Sequence, residues 1–178
     1  MAVPAHIFLS YSASNGADAD AEAIADDLRK AGIPVWIDTA QLTPGTPDWE
    51  RAVREALAQS FAVVLLASPE SKDSVYVRGE LTLATANGCS VIPLWISGSQ
   101  WVDSVPLRMM CSQYIDWRGE SRARGMDMLV RALSVIIERM TPEHYQGASG
   151  APTRGFISIE LPCHETEEGA QHACFCIL

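Results

Sequence analysis

Basic residues are scarce in this sequence. Its 178 residues include 13 Lys and Arg against 22 Asp and Glu, which gives a formal net charge of −9. A protein that binds the phosphate backbone of nucleic acid needs a basic surface, so this composition argues against that class. The hydrophobic fraction of 48% with 20% charged residues nonetheless indicates a globular chain rather than a disordered one.

Long apolar runs and export signals are also missing. No run approaches the ~20 residues that span a membrane. The first ten residues, MAVPAHIFLS, contain neither a basic region nor a cleavage site, so we expect a cytoplasmic protein whose five cysteines are reduced thiols. The C-terminal FCIL is no prenylation signal, because Phe175 stands where cysteine is required.

Three common catalytic and nucleotide-binding motifs are absent as well. No GxGxxG follows the first predicted strand, no GxxxxGK[ST] occurs, and GxSxG is missing. The first strand ends in Ser-Tyr rather than in paired carboxylates, which argues against a receiver-type phosphorylation site. A Rossmann dinucleotide site, a P-loop and an α/β-hydrolase are therefore not predicted.

The hydrophobic pattern that is present alternates between strands and helices. FAVVLLAS (61–68) is continuously apolar, as expected when helices cover both faces of a parallel sheet. The predicted strands are 6–11, 33–38, 61–68, 91–96 and 113–117, and the predicted helices are 17–31, 49–58, 74–87 and 122–140. This order predicts an α/β fold with right-handed crossovers.

The composition changes after this domain, which we place at residues 1–140. Residues 141–155 are rich in Gly, Pro, Ser and Thr and are predicted to be a linker. Residues 156–178 are predicted to form a β-hairpin or the start of a truncated second module. Cysteine and histidine gather there, at Cys163, His164, His172, Cys174 and Cys176. Zinc binding and strand packing would both explain them, but no CxxC knuckle is present, and we assign no metal site.

One helical segment, SVYVRGELTLA (74–84), carries an unusual charge. Val77, Leu81 and Ala84 recur at helical spacing and should face the core, while Glu80 lies at the edge of their stripe. Tyr76 lies one turn before Glu80 on the same side. A solvated carboxylate on a helix flank and a functional carboxylate at the rim of a cleft both fit this pattern.

Several motifs in order give the chain a family resemblance. HIFLSYS, GIPVWID, LTPGTPDW, VVLLASPESKDSVYVRGEL and VIPLWI, within residues 5–140, resemble the Toll/interleukin-1 receptor (TIR) domain family. The resemblance implies a flavodoxin-like five-stranded parallel sheet in the order 2-1-3-4-5, flanked by helices.

The resemblance also implies a choice between two functions. Some members cleave NAD+ at the nicotinamide–ribose bond, and they carry a glutamate with an aromatic residue four positions before it. Glu80 and Tyr76 match these positions, with Tyr replacing the more usual Trp, so Glu80 is the expected catalytic residue and Tyr76 a substrate-binding one. Other members are non-catalytic adaptors that act through TIR–TIR contacts. The alternative role for Tyr76 is that of a packing residue with its hydroxyl in water.

Further roles follow from the same resemblance. The expected substrate contacts, besides Tyr76, are Ser10, Tyr11, Ser12, Asp38 and Leu42, and the expected assembly loop includes Thr43, Pro44, Gly45 and Trp49. Asp38 could equally satisfy loop amides at its strand end. Some enzymatic members have a basic residue after the first motif, whereas this chain has Ser12-Ala13. Trp36 is expected in the core.

The implied partners complete the prediction. NAD+ is expected as a substrate rather than a cofactor, and no cofactor is predicted. Activation is expected through self-association, with filaments as one form, and a sensor or effector module could be fused or separate. The expected setting is antiphage or other immune signalling.

Overall fold

The computed structural model describes residues 6–13, 16–37 and 47–140. Its five strands are β1 (His6–Ser10), β2 (Val35–Ile37), β3 (Ser60–Ala67), β4 (Ser90–Trp95) and β5 (Ile115–Asp116). Its helices are α1 (Ala17–Lys30), α2 (Pro47–Ala58), α3 (Pro69–Asp73), α4 (Val75–Ala86) and α5 (Arg122–Met140). Single 3₁₀ turns occur at Trp101–Asp103, Leu107–Met109 and Gly119–Ser121.

All five strands are parallel and lie in the order β2-β1-β3-β4-β5. This confirms the predicted flavodoxin-like sheet and its strand order. The central strand β3 pairs with β1 on one side and β4 on the other, and helices pack on both of its faces. Its unbroken apolar run is the consequence of that position.

The two faces of the sheet form two separate cores. On one face Ile7, Leu9 and Val64 pack with α1 and α5, and on the other Phe8 and Val63 pack with α2 and α4. Successive residues of a strand point to opposite faces, so Ser10 follows Phe8 toward α2 and α4. This alternation decides which helix the end of β1 faces.

Most predicted elements are present with ends that differ by one or two residues. Helix α2 begins at Pro47 rather than at Trp49, and proline fits a first helical turn because no partner is needed for its missing N–H. The predicted strand 113–117 shortens to the two residues of β5.

The sequence interpretation missed one element, the short helix α3. Ser68 accepts a hydrogen bond from the Ser71 backbone N–H, and the Ser71 hydroxyl accepts one from the Ser68 backbone N–H. Pro69 follows this capping box at the first helical position. Since α3 precedes it, the helix that carries Tyr76 and Glu80 is the fourth rather than the third.

Trp36 lies partly buried on β2, where its ring stacks on Phe8 with 4.7 Å between ring centroids. None of the helices in the described ranges is long and apolar enough to cross a membrane. The predicted linker and tail, including their cysteines and histidines, lie outside the described residues.

Candidate active site

A cleft of about 290 Å³ opens at the carboxyl edge of the sheet, where ligands bind in open parallel folds. Three parts of the chain form it: the end of β1 with the residues after it, the first turn of α2, and the beginning of α4. Its lining residues are Leu9, Tyr11, Ser12, Ala13, Trp49, Ser74, Tyr76 and Glu80.

Glu80 is the buried carboxylate of this cleft. Glu80 is only 7% exposed, and Ser10 is fully buried. The Ser10 hydroxyl donates a 2.6 Å hydrogen bond to Oε2 of Glu80. Burial of a carboxylate is unfavourable unless hydrogen bonds compensate it, and this bond contributes to that compensation. The geometry therefore excludes the solvated-flank interpretation of Glu80.

The start of α4 aims its side chains into the cleft. Ser74 caps the helix by accepting a 3.3 Å hydrogen bond from the Val77 backbone N–H. Val77 and Leu81 are fully buried on the core side, which turns Tyr76 and Glu80 toward the cleft one helical turn apart. The helical periodicity of α4 thus places Tyr76 and Glu80 on the same side of the helix, facing the cleft.

Trp49 and Tyr76 form an aromatic corner beside Glu80. Their ring centroids are 5.1 Å apart with an interplanar angle of 77°, an edge-to-face pair. Trp49 is 8% exposed, whereas Tyr76 is 49% exposed at the mouth of the cleft. Trp49, expected in an assembly loop, lies in helix α2 and lines the same cleft as Tyr76.

The expected substrate residues divide into three groups. Tyr11 and Ser12 line the cleft, as expected for contact residues. Ser10 is buried beneath it and contacts Glu80 instead. Asp38, Leu42, Thr43, Pro44 and Gly45 lie outside the described residues.

Sequence reasoning did not name Leu9, Ala13 and Ser74 as lining residues. Ser74 could have been found, because a serine directly before a helical apolar stripe is a capping signal. Within the described ranges, no three His, Cys, Asp or Glu side chains converge as metal ligands do.

Fold and cleft together define a flavodoxin-like α/β domain with a carboxylate-bearing cleft at the sheet edge. A family model for the TIR domain matches residues 7–130. The match covers most of the chain, and the protein belongs to the TIR domain family.

Solved structures show the same fold. The TIR domain of the Toll-related receptor TRR-2 from Hydra magnipapillata is 18% identical with a TM-score of 0.57, and the alignment covers 74% of this chain and 97% of that one. A TIR-STING receptor from C. gigas is 23% identical with a TM-score of 0.55, over 74% of this chain and 41% of that one. No curated protein matches the chain significantly.

Proposed function

We propose that this TIR domain is an NAD+ glycohydrolase. It would cleave the nicotinamide–ribose bond, release nicotinamide and leave ADP-ribose or a cyclic isomer. The observation that carries the proposal is Glu80, a buried carboxylate that accepts a hydrogen bond from Ser10 at a cleft lined by the edge-to-face rings of Trp49 and Tyr76.

Cleavage of the nicotinamide–ribose bond is favoured by a fixed, buried carboxylate such as Glu80. When the bond between C1′ and the pyridinium nitrogen breaks, its electron pair passes to the nitrogen and positive charge develops on the ribose, as in glycoside hydrolysis. A fixed carboxylate in a site of low dielectric stabilises that charge as it forms. Nicotinamide leaves as a neutral molecule, so its departure needs no general acid.

The aromatic corner suits the leaving group. A cationic ring over the face of Tyr or Trp gains ~0.5–2 kcal/mol. Tyr76 and Trp49 line the cleft together with Glu80, so a bound pyridinium could contact a ring and place C1′ near the carboxylate.

The biological setting proposed for this activity is cytoplasmic antiphage or other immune signalling, switched on by self-association. Its support is the family membership, together with the first turn of α4. There Val75 is 70% exposed and the adjacent Tyr76 is 49% exposed, so both side chains are accessible to a partner.

The decisive test follows nicotinamide release from NAD+ by concentrated, assembled protein. Glu80→Gln keeps the shape of the side chain but removes its charge and should lower kcat by roughly 100-fold or more. The matched control is Glu55→Gln, because Glu55 is exposed on α2 and lies outside the cleft lining; its kcat should equal that of the wild type. Equal turnover by Glu80→Gln and wild type would refute the proposal.

The alternative proposal is a non-catalytic adaptor, which the exposed Val75 and Tyr76 also favour. An adaptor would signal normally with Glu80→Gln and would lose self-association with Val75→Glu. An enzyme would lose its signal with both substitutions.

A further inference from the structure

The cleft combines a carboxylate with a lack of basic side chains. Glu80 is the charged member of its lining, and none of the lining residues is Lys or Arg. The sequence extends this beyond the described residues, since no Lys or Arg occurs in residues 1–28 or 31–50. Those stretches include the lining residues Tyr11, Ser12, Ala13 and Trp49.

The nearest basic residues in the sequence are engaged or directed elsewhere. Arg51 and Arg54 form exposed ion pairs with Asp48 and Glu50 on α2, at 3.0 and 2.6 Å. Lys72, two residues before Ser74, has its Nζ 3.6 Å from Oδ1 of Asp103. Arg78 is exposed on α4, about 200° around the helix from Glu80. None of these described basic side chains lines the cleft.

NAD+ presents two chemically opposite parts to such a site. Its nicotinamide–ribosyl part is cationic, and its diphosphate is anionic. A carboxylate attracts the first part and repels the second, more strongly where the local dielectric is low. The cleft volume of about 290 Å³ is at the lower end for ligand pockets.

We propose that the cleft recognises its substrate through the N-ribosyl pyridinium part alone, so that a phosphate-free nicotinamide nucleoside is itself a substrate. This inference rests on the proposed glycohydrolase function. The bond between C1′ and the ring nitrogen breaks, and its electron pair stays on nicotinamide, which leaves neutral. Water bonds to C1′ and releases a proton to solvent, so the products are nicotinamide, ribose and a proton.

The test measures nicotinamide release by the full chain from NAD+ and from nicotinamide riboside. A single charged hydrogen bond to the diphosphate would contribute ~1.5–3 kcal/mol, or more than about tenfold in kcat/KM. Without such a bond, kcat/KM for the riboside should lie within about tenfold of the value for NAD+. Turnover of both substrates should be lost in Glu80→Gln.

Two pairs of variants sharpen the test. Ala13→Arg adds a cation at an exposed position of the cleft rim and should raise kcat/KM for NAD+ relative to the riboside, with a new dependence on salt. Ala13→Gln is its uncharged control and should leave the ratio unchanged. Tyr76→Leu should raise KM for the riboside roughly 2- to 30-fold, and Tyr76→Phe should restore it.

The outcomes separate this inference from the proposed function. Glu80-dependent cleavage of NAD+ with a kcat/KM for the riboside more than about tenfold lower would overturn the inference and leave the glycohydrolase proposal intact. Cleavage of neither substrate would overturn both. Riboside cleavage that persists in Glu80→Gln would place that reaction outside this cleft and overturn the inference.

Discussion

The hydroxyl of Ser10 donates a 2.6 Å hydrogen bond to Oε2 of Glu80, a residue 70 positions later in the chain. Ser10 ends β1, and Glu80 lies in the second turn of α4, so the bond ties the central sheet to the helix that lines the cleft. Both residues are buried. Ser10 is therefore a positioning residue for the carboxylate in the proposed reaction.

Ser10→Ala should lower kcat with little change in KM. Loss of the hydrogen bond lets the carboxylate move from its productive position, and displacements of this kind reduce rates roughly 10- to 100-fold. The variant should also be less stable by ~1–3 kcal/mol, because a buried carboxylate loses a donor. Steady-state kinetics and urea unfolding measure the two effects.

The matched control is Ser60→Ala. Ser60 is likewise buried, and its hydroxyl donates a 2.7 Å hydrogen bond to the Ala56 carbonyl, away from the cleft lining. The Ser60→Ala protein should be less stable by about 1 kcal/mol and should keep the wild-type kcat. Equal kinetic losses in both variants would mean that Ser10 acts only through stability.

Trp49 and Tyr76 should stabilise each other measurably. Edge-to-face rings contribute ~0.5–1.5 kcal/mol beyond the burial of their area, so a double-mutant cycle of Trp49→Leu and Tyr76→Leu should give a coupling energy in this range. Urea unfolding of the four proteins measures it. The control pair is Trp49→Leu with Tyr114→Leu, because Tyr114 stacks on Trp101 rather than on Trp49. The two losses in the free energy of unfolding should be additive for this pair. A coupling near zero for the first pair would contradict the aromatic corner.

Stability should depend on the titration of His6. Its Nε2 lies 3.1 Å from the Ala56 carbonyl oxygen, and burial lowers the pKa of His6 below its ordinary 6.5, with the hydrogen bond to Ala56 as the smaller, opposing effect. The unfolded chain then binds the proton more readily than the folded one. The contribution of neutral His6 to the free energy of unfolding is therefore fully present above pH 6.5. This contribution is lost as the pH falls through the pKa of His6 in the folded state.

His6→Gln removes this titration. The free energy of unfolding of the wild type should fall relative to that of His6→Gln as the pH is lowered from 7.5 to 5, with urea unfolding as the measurement. Parallel curves for the two proteins over this range would show that the pKa of His6 is the same in both states.

Two glycines should respond to alanine in opposite directions. Gly79 is exposed within α4 with open space at its Cβ position, so Gly79→Ala should raise stability by ~0.5–1 kcal/mol. Gly98 has a left-handed φ of 103°, and an added Cβ would overlap the Ser104 hydroxyl and lie 3.2 Å from Pro69 Cδ. Gly98→Ala should therefore destabilise by about 2 kcal/mol or more. Thermal unfolding compares them, and a gain in stability from Gly98→Ala would contradict the strained conformation.

Much of the fold could be predicted because its signals are local. The apolar run of β3 and the apolar stripe of α5 are readable within one element, and the predicted bounds of α5 agree with the structure. Helix α3 was missed because five residues are too few for a periodic pattern. Its capping serines, Ser68 and Ser71, were the available signal.

The site could be predicted only in part. Helical spacing alone puts Tyr76 and Glu80 one turn apart at the edge of an apolar face, and the structure has this arrangement. The family resemblance places Trp49 at the end of the assembly loop, and the apolar pattern makes it the first residue of the predicted helix 49–58. Its position in the cleft wall depends instead on how α2 packs against α4.

By itself, the sequence determined the alternation of the five strands with the four longer helices, the apolar face of α4 and the scarcity of basic residues. The tertiary structure alone decided that the Ser10 hydroxyl bonds to Glu80 and that the ring of Trp49 contacts that of Tyr76. The physical reason is range. Periodicity reports neighbours three or four residues apart, whereas these contacts exist only after β1 pairs with β3 and α2 and α4 pack on the same face of the sheet.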